Sequence, residues 1–597
     1  MREFSVPAMA EVSDSATLTD APFTRAAQEP GRIVARRKSG EASWRAVTAA
    51  EFAAEAAGVA KGLAAAGVEP GDRVGLLSAT RYEWTVLDYA IWAAGAVSVP
   101  IYETSSAEQI EWIVGDSGAK AVFAETEAHV ASVEGLRDRL PGLAHVWGID
   151  AGGVAEVTRL GAGSGDDVVE ERRRSRTAAD LATLVYTSGT TGRPKGCEIT
   201  HGNLVSTARN AVQGAIAEIA VEGSSTLLFL PLAHIFARLI EVATIEGGIV
   251  LGHSDIPNLL PDLASFQPTF LLAVPRVFEK VYNGAEQKAA ADGKGKIFKA
   301  AADTAIAYSR ALDTGGPGLG LKAKHKVFDV LVYGKLRAAV GGKVQYAVSG
   351  GAALGERLGH FFRGVGITIL EGYGLTETTA PVSVNRPTAL RIGTVGRPIP
   401  GVDVRIAEDD EVLVRGINIL RGYWNNEAAT KEALEDGWFH TGDLGSLDED
   451  GFLRITGRKK EILVTAAGKN VAPAPLEDRL RAHPLVSQCL VVGDGRKFIS
   501  ALVTLDEEAL GPWKAQHGKP AAMTVDELRS DPDVVAEIEA AVADANKSVS
   551  HAEAIKKYVI LGVDFTEAAG HMTPSLKVKR NVVLKDFAAE IEGLYAG

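Results

Sequence analysis

Residues 181–196 read Leu-Ala-Thr-Leu-Val-Tyr-Thr-Ser-Gly-Thr-Thr-Gly-Arg-Pro-Lys-Gly. An apolar run over 181–186 has the length of a buried strand. It opens into Thr187, Ser188, Gly189, Thr190, Thr191 and Gly192, followed by the cations Arg193 and Lys195. Glycines let backbone N–H groups approach oxygens closely, hydroxyls donate to the same oxygens, and a lysine offsets charge on a departing group. Such a loop suits polyphosphate. It is not a Walker loop, because no Gly-Lys-Ser/Thr triplet follows and no helix obviously begins there.

Outward from this loop, further apolar strand candidates recur at 73–77, 97–101, 120–124, 225–230, 248–251 and 269–274. The stretches between them are long enough for helices. Phe52, Ala56, Val59 and Leu63, for instance, repeat at helical spacing and Gly67 closes the segment. Strands alternating with helices imply largely parallel sheets and an α/β protein. Beyond Arg391 the pattern changes to hairpins. Residues 402–406 and 411–414 flank an acidic turn, and Asp450-Gly451 separates 444–447 from 452–456. After Gly457-Arg458-Lys459-Lys460 a new α/β pattern runs to the end.

The expected division is an arm at 1–24, a large domain at 25–457 with a β-rich subdomain at about 391–457, a joint at 458–460 and a small α/β domain at 461–597. The arm, mixing charges with small polar residues, reads as loose. Residues 170–174 carry both signs and read as a solvated linker. Residues 280–343, rich in Ala and Lys with a Gly-Gly-Pro-Gly break at 315–318, read as helices flanking a loop. That insertion fits a surface elaboration and a substrate-channel element equally.

Composition narrows the function. A chain of 597 residues exceeds what one core usually organises. Its formal charge of −13, from 76 acidic and 63 basic residues, repels a phosphate backbone and argues against nucleic acid. Cys197 and Cys489 are too few for a disulfide framework, and reduced thiols in a cytoplasmic protein are the default. The most apolar stretch, 89–102, is shorter than the roughly 18–20 residues a membrane span needs. The expectation is no integral membrane segment, with weak peripheral membrane contact left open; no motif writes the oligomeric state.

Further motifs stand in order along the chain: Pro231-Leu232-Ala233-His234-Ile235-Phe236, then Ser349-Gly350-Gly351-Ala352-Ala353. Glu371-Gly372-Tyr373-Gly374-Leu375-Thr376-Glu377-Thr378 follows, then Thr441-Gly442-Asp443 with Arg458 and Lys460, then Gly468-Lys469-Asn470. Last comes Met572-Thr573-Pro574-Ser575-Leu576-Lys577-Val578-Lys579-Arg580. Together with the loop at 187–196 this series resembles the adenylate-forming superfamily, and within it the AMP-forming long-chain fatty-acid–CoA ligases, from about residue 50 to 580.

The resemblance implies a large domain of parallel-rich sheets flanked by helices with a β-hairpin-rich subdomain, and a small mobile C-terminal α/β domain. Its site residues would be the following. Residues 187–192 and Lys195 face the phosphates of ATP. Gly351 and Ala352 belong to the adenine-side segment, and Glu371 and Gly372 to the central nucleotide motif, whose Tyr373 stacks on adenine. Thr376 bonds the α-phosphate, and Thr187 with Glu377 holds Mg²⁺, a hard cation that commonly takes one or two protein carboxylates. Asp443 and Arg458 meet the ribose, Lys460 is the hinge, and Gly468 borders the coenzyme A tunnel. Lys577 bridges carboxylate and α-phosphate, although the family's commoner motif has Gly where Leu576 stands and Lys579 competes for the register. His234 fits either a wall of the acyl site or a structural histidine.

The implied reaction activates a medium-to-long-chain fatty acid as its acyl-AMP with release of pyrophosphate, then passes the acyl group to coenzyme A. A ligase loading a carrier protein, and a non-catalytic protein that binds nucleotide or lipid on the same fold, are the alternatives.

Overall fold

The computed structural model describes residues 1–187, 193–573 and 577–596. Its central sheet has seven strands. Val97–Ile101 lies in the middle with Leu181–Thr187 parallel beside it, and Arg73–Leu77, Ala121–Ala124 and His145–Gly148 continue outward in parallel. On the other side Lys195–Thr200 returns antiparallel and Gly422–Tyr423 closes the edge. Val97–Ile101 is buried at every position, as a strand covered by helices on both faces must be. The apolar stretch 89–102 divides between the end of the helix Tyr82–Ala93 and this strand. Among the described residues no helix is long and apolar enough to cross a membrane.

A five-stranded sheet carries the second group of motifs. Phe270–Ala273, Tyr346–Ser349 and Thr368–Leu375 run parallel, and Ala380–Val384 then turns back antiparallel. A third sheet joins Ser225–Leu228 and Val250–His253 to the hairpin Ile33–Lys38/Trp44–Thr48. The hairpin texture after residue 391 becomes a six-stranded sheet in which Val402–Ile406 pairs Glu411–Gly416, and Trp438–Leu447 pairs Leu453–Arg458.

Two readings of the sequence are corrected. The arm expected to be loose is docked: Glu3–Val6 forms an edge strand against Val402–Ile406, the Met9 and Ala10 N–H groups donate to Asn210 Oδ1, and Asp20–Gln28 is helical. Four residues whose partner lies roughly four hundred positions away leave little local signal. Residues 170–174 are the end of the helix Asp166–Arg174. There Arg172 donates to the Val68 carbonyl and Arg173 pairs with Glu170 at 2.6 Å. The charge run bonds helix to body.

The small domain has a three-stranded sheet, Val486–Val492, Ile499–Leu505 and Ile555–Ile560, packed on both faces. Cys489, Val491, Ala501 and Val503 face one core with Leu476, Leu480 and Ile538. Leu490, Val492 and Leu502 face another with Phe565, Val583 and Phe587. Strand alternation with both faces apolar gives this domain cores of its own. It meets the large domain through Arg276–Asp506 at 2.8 Å and Lys280–Glu508 at 3.0 Å.

Candidate active site

One cavity of about 1610 Å³ lies where the central sheet, the five-stranded sheet, the β-rich subdomain and the small domain meet. On the side formed by the central sheet Thr187 stands opposite Lys195 across the antiparallel pair. Residues Ser188, Gly189, Thr190, Thr191 and Gly192 lie outside the described residues. Lys195 Nζ sits 5.1 Å from the Tyr423 ring centre, and the Tyr423 hydroxyl donates to Glu377 Oε1 at 2.9 Å. Thr187, Lys195 and Glu377 therefore line one wall. Burial and the Glu377 charge hold the Tyr423 phenol neutral, so it remains a donor. Among the described residues no three of His, Cys, Asp and Glu converge as a metal cage. A hard cation that uses a carboxylate, a hydroxyl and substrate phosphate oxygens fits this donor set; one needing a full protein cage does not.

The central motif occupies the end of Thr368–Leu375 and the turn into Ala380–Val384. This turn is tight. A Cβ on Gly374 would fall 1.7 Å from the Ala380 carbonyl oxygen, so glycine alone permits the closure. Thr379 and Ala380 hold φ of 48° and 71°, left-handed values that cost non-glycine residues about 1–3 kcal/mol each. The Thr378 hydroxyl bonds the Ala380 carbonyl at 2.8 Å and accepts from the Leu375 N–H at 2.9 Å. Backbone strain thus lies beside Thr376 and Glu377, both of which face the cavity.

Opposite, the Tyr373 hydroxyl donates to Asp443 Oδ2 at 2.6 Å, and Arg458 Nε stands 3.1 Å from Asp443 Oδ1. Sheet register sets the second contact, since Asp443 and Arg458 are cross-strand partners. The Thr441 hydroxyl fixes the turn, accepting from the Asp443 N–H at 3.0 Å and donating to the Val412 carbonyl at 2.7 Å. Burial raises the Asp443 carboxyl, while the Arg458 guanidinium opposes the shift.

Not every expected residue reaches the cavity. Gly351, Gly372 and Tyr373 line it, whereas Ala352 and Glu371 do not, and Asp443 stands behind Tyr373 and Arg458, which do. Glu371 instead accepts the Leu354 N–H at 3.0 Å beneath the 349–354 loop, and burial pushes its carboxyl up to about 7. The motif places it one residue from the wall, beside Gly372, which lines the cavity.

His234 caps the helix Ile235–Gly247, with Nδ1 accepting the Phe236 N–H at 3.2 Å. That bond assigns the proton of neutral imidazole to Nε2, leaving an N–H donor for the cavity. Burial and the Lys577 charge lower the ring to about 4, so it is neutral at pH 7. Beyond it Leu239, Ile240 and Ala243 form an apolar wall with Ala211, Ala215 and Ile216. Residues 211–215 form a π-helical turn, a distortion that widens a helix and recurs at functional sites. The stripe at 239, 240 and 243 is legible as helical spacing after His234; the π-turn has no sequence signal.

From the small domain Lys577 projects into the cavity. Burial among protein atoms lowers its ammonium pKa, Arg458 adds to the effect, and Asp443 and Glu377 oppose it. The Thr573 hydroxyl accepts the Lys577 N–H at 3.0 Å. Lys579 also lines the cavity, but it is Lys577 whose charge reaches both His234 and Asp443. Lys460 lies in the short turn Lys459–Glu461 that joins the domains, and it borders the same cavity. Gly468, at φ 78° in the 465–469 turn, does not line it. The arrangement thus presents Lys577 to the cavity and leaves Gly468 outside its lining.

The AMP-binding enzyme family model matches residues 23–424, and the AMP-binding enzyme C-terminal domain model matches 460–597. The chain is 54% identical to the long-chain-fatty-acid–CoA ligase FadD15 of Mycobacterium bovis, with 100% of each chain covered. Among solved structures, the anthranilate CoA ligase AuaEII in complex with anthranoyl-AMP superposes with a TM-score of 0.71 at 20% identity, covering 97% of this chain and 99% of that one. O-succinylbenzoate coenzyme A synthetase from Bacillus subtilis, in complex with ATP and magnesium ion, gives 0.67 at 21% identity, covering 94% and 98%.

Proposed function

We infer, for a chain that belongs to the AMP-binding enzymes along nearly its whole length, an ATP-dependent long-chain-fatty-acid–CoA ligase. A carboxylate oxygen of the fatty acid attacks the α-phosphorus of ATP, the bond to the β-phosphate oxygen breaks, and pyrophosphate leaves with acyl-AMP remaining. The coenzyme A sulfur then attacks the acyl carbonyl carbon, AMP departs, and a thioester forms. The observation that carries this reading is the entry of Lys577 from one domain into a cavity that the other lines with Lys195, Glu377 and Arg458, and with Tyr373, which like Arg458 is bonded to Asp443.

Two anions must meet in the first step, so cations decide its rate. Lys577 stabilises charge at the α-phosphate and the incoming carboxylate, and Lys195 meets the departing phosphates. Thr187 and Glu377 would hold Mg²⁺, which would neutralise phosphate charge when bound. Tyr373 packs on adenine, Asp443 and Arg458 orient the ribose, Thr376 bonds the α-phosphate, and His234 offers its Nε2–H to the acyl carboxylate. Residues 188–192 complete the phosphate cradle. The apolar wall from Leu239 to Ala243 receives the acyl chain.

For the second step the small domain, 461–597, turns about the joint at 458–460. It withdraws Lys577 and brings the Gly468 loop to the tunnel through which the thiol enters. The reaction belongs in the cytoplasm, where ATP and coenzyme A are available. Pyrophosphate release measured across a graded fatty-acid panel, with and without coenzyme A, tests the whole reading. The expected outcome is acid-dependent release favouring long chains and a thioester that appears only with coenzyme A. Release without thioester would instead indicate a carrier-protein acceptor, and no release with any acid would remove the catalytic reading.

A further inference from the structure

The helix Leu319–Phe328 and the π-helical turn Asp329–Tyr333 after it lie in the insertion between the strands Phe270–Ala273 and Tyr346–Ser349 of the five-stranded sheet. Every residue of that helix keeps some exposure. Leu319 is 85% exposed, Val330 76%, Val327 56% and Leu331 53%. Positions 319, 323, 327 and 330 recur at helical spacing, so Leu319, Ala323, Val327 and Val330 form one aliphatic stripe that faces water. The opposite side is anchored. His325 Nε2 bonds the Gly364 carbonyl at 2.6 Å, its ring stacks on Tyr308 at 3.9 Å, and the buried Tyr333 donates to the Ala301 carbonyl at 2.7 Å. The outward apolar face is therefore held in place by its own underside.

Charge sets this segment apart from the rest of the chain. Residues 318–343 contain six Lys and Arg against one Asp, in a protein of formal charge −13. That aspartate, Asp329, is taken by Arg337 at 2.7 Å. Lys322, Lys324 and Lys326 are exposed beside the stripe, and among the described residues none of them joins an ion pair. A partner for this face must offer negative charge and hydrocarbon together. Nucleic acid offers no hydrocarbon. The face is one convex helix and not a groove, so a fluid apolar layer can close on it more readily than a rigid protein surface.

We propose that this helix and turn form a docking surface for anionic lipid bilayers, with Leu319, Val327, Val330 and Leu331 entering the interface and Lys322, Lys324 and Lys326 meeting the headgroups. A basic amphipathic helix lying in the interface plane is the recurrent form of such contacts. The surface goes beyond the proposed ligase reaction and does not depend on it.

The test is co-sedimentation of the full chain with vesicles of phosphatidylcholine mixed with phosphatidylglycerol, and with pure phosphatidylcholine, in the absence of ATP and fatty acid. The chain is expected to sediment with the mixed vesicles and not with the neutral ones. Binding should weaken sharply at ~1 M salt, where the screening length falls to ~3 Å. Each lysine near an anionic surface contributes about fivefold, so Lys322→Glu, Lys324→Glu and Lys326→Glu combined should lose at least about a hundredfold. Leu319→Asp with Val330→Asp should abolish sedimentation, and Leu319→Ser with Val330→Ser should weaken it if the first pair shifts the unfolding temperature. Sedimentation unchanged in all variants, equal binding to neutral vesicles, or no binding to either would overturn the proposal. So would a dimer of the unmodified chain that Leu319→Asp dissolves without any vesicle binding, since a second copy would then cover the face.

Discussion

The Tyr373 hydroxyl donates to Asp443 at 2.6 Å, joining a residue of the five-stranded sheet to one of the β-rich subdomain across the cavity. Arg458 holds the second oxygen of the same carboxylate. Asp443→Asn removes a charge on which two groups depend and leaves the half-buried Arg458 beside a neutral amide. Tyr373→Phe removes one donor and keeps the ring. Hydrogen bonds to charged groups contribute roughly 1.5–3 kcal/mol. The ATP concentration for half-maximal pyrophosphate release should therefore rise about 10- to 150-fold in Asp443→Asn, and clearly less in Tyr373→Phe. Equal increases would show that Tyr373 acts through Asp443 alone.

Lys577→Ala should slow adenylation by about 10²–10³-fold, the scale for losing one preorganised group at developing charge. Thioester formation from supplied acyl-adenylate should survive, and Lys579→Ala should leave adenylation near its starting rate. The pH dependence has a defined sign. Lys577 acts as a cation and its pKa is lowered by burial, so its charge is complete at low pH and is lost, as pH rises, earlier than that of an ordinary lysine. Adenylation should fall on the alkaline side, and Lys577→Arg should move that fall upward. An alkaline limb indifferent to the substitution would count against Lys577.

Arg276–Asp506 and Lys280–Glu508 tie the small domain to the large one in the arrangement that inserts Lys577. A turn about the joint must break them. Arg276→Glu should lower adenylation about two- to fivefold, the usual scale of a partly exposed pair, while sparing thioester formation from acyl-adenylate. Combining it with Asp506→Arg should restore the rate. Failure of the double variant to recover would mean that the pair has no part in selecting this arrangement.

Behind the acyl wall, Arg238 is fully buried and grips Asp88 with Nε at 2.8 Å and Nη2 at 2.5 Å, while Nη1 reaches Thr183 at 2.5 Å. Glu241, one turn along the same helix, is buried too, and burial with the neighbouring Asp88 pushes its carboxyl well above the ordinary 4.5. Arg238→Met strands Asp88 and should cost about 3–5 kcal/mol of stability. For Glu241 the unfolded chain gives up its proton first. Its contribution is therefore intact below about pH 4.5 and falls as pH rises toward the folded-state value. Glu241→Gln should raise the unfolding temperature at pH 8 and change it little at pH 4. A gain equal at both pH values would mean that Glu241 is ionised in the fold.

Local chemistry made the centre of the site legible and distance hid its edges. Strands 73–77 and 97–101 declare themselves as continuous apolar runs, and Thr187, Lys195, Tyr373, Glu377, Asp443, Arg458 and Lys577 sit in motifs whose residue types the chemistry demands. All of these residues line one cavity except Asp443, which is bonded to two that do, Tyr373 and Arg458. Glu371 and Ala352 carry equally good motif positions, yet the strand pleat and the loop beyond it set them off the wall. The hairpin Ile33–Lys38/Trp44–Thr48 carries charges at 36–38 that mask its alternation, and its other partner is Val250–His253, more than two hundred residues away. The acyl wall depends on a π-turn, which no periodicity announces.

The edge strand Glu3–Val6 has a consequence for biogenesis. Its partner, Val402–Ile406, is translated roughly four hundred residues later. At roughly 5–20 residues per second Glu3–Val6 waits about 20–80 s for the strand that receives it. Throughout that interval the nascent chain carries a strand without its partner, open to chaperones. The clasp thus joins two stretches of chain separated in time as well as in sequence.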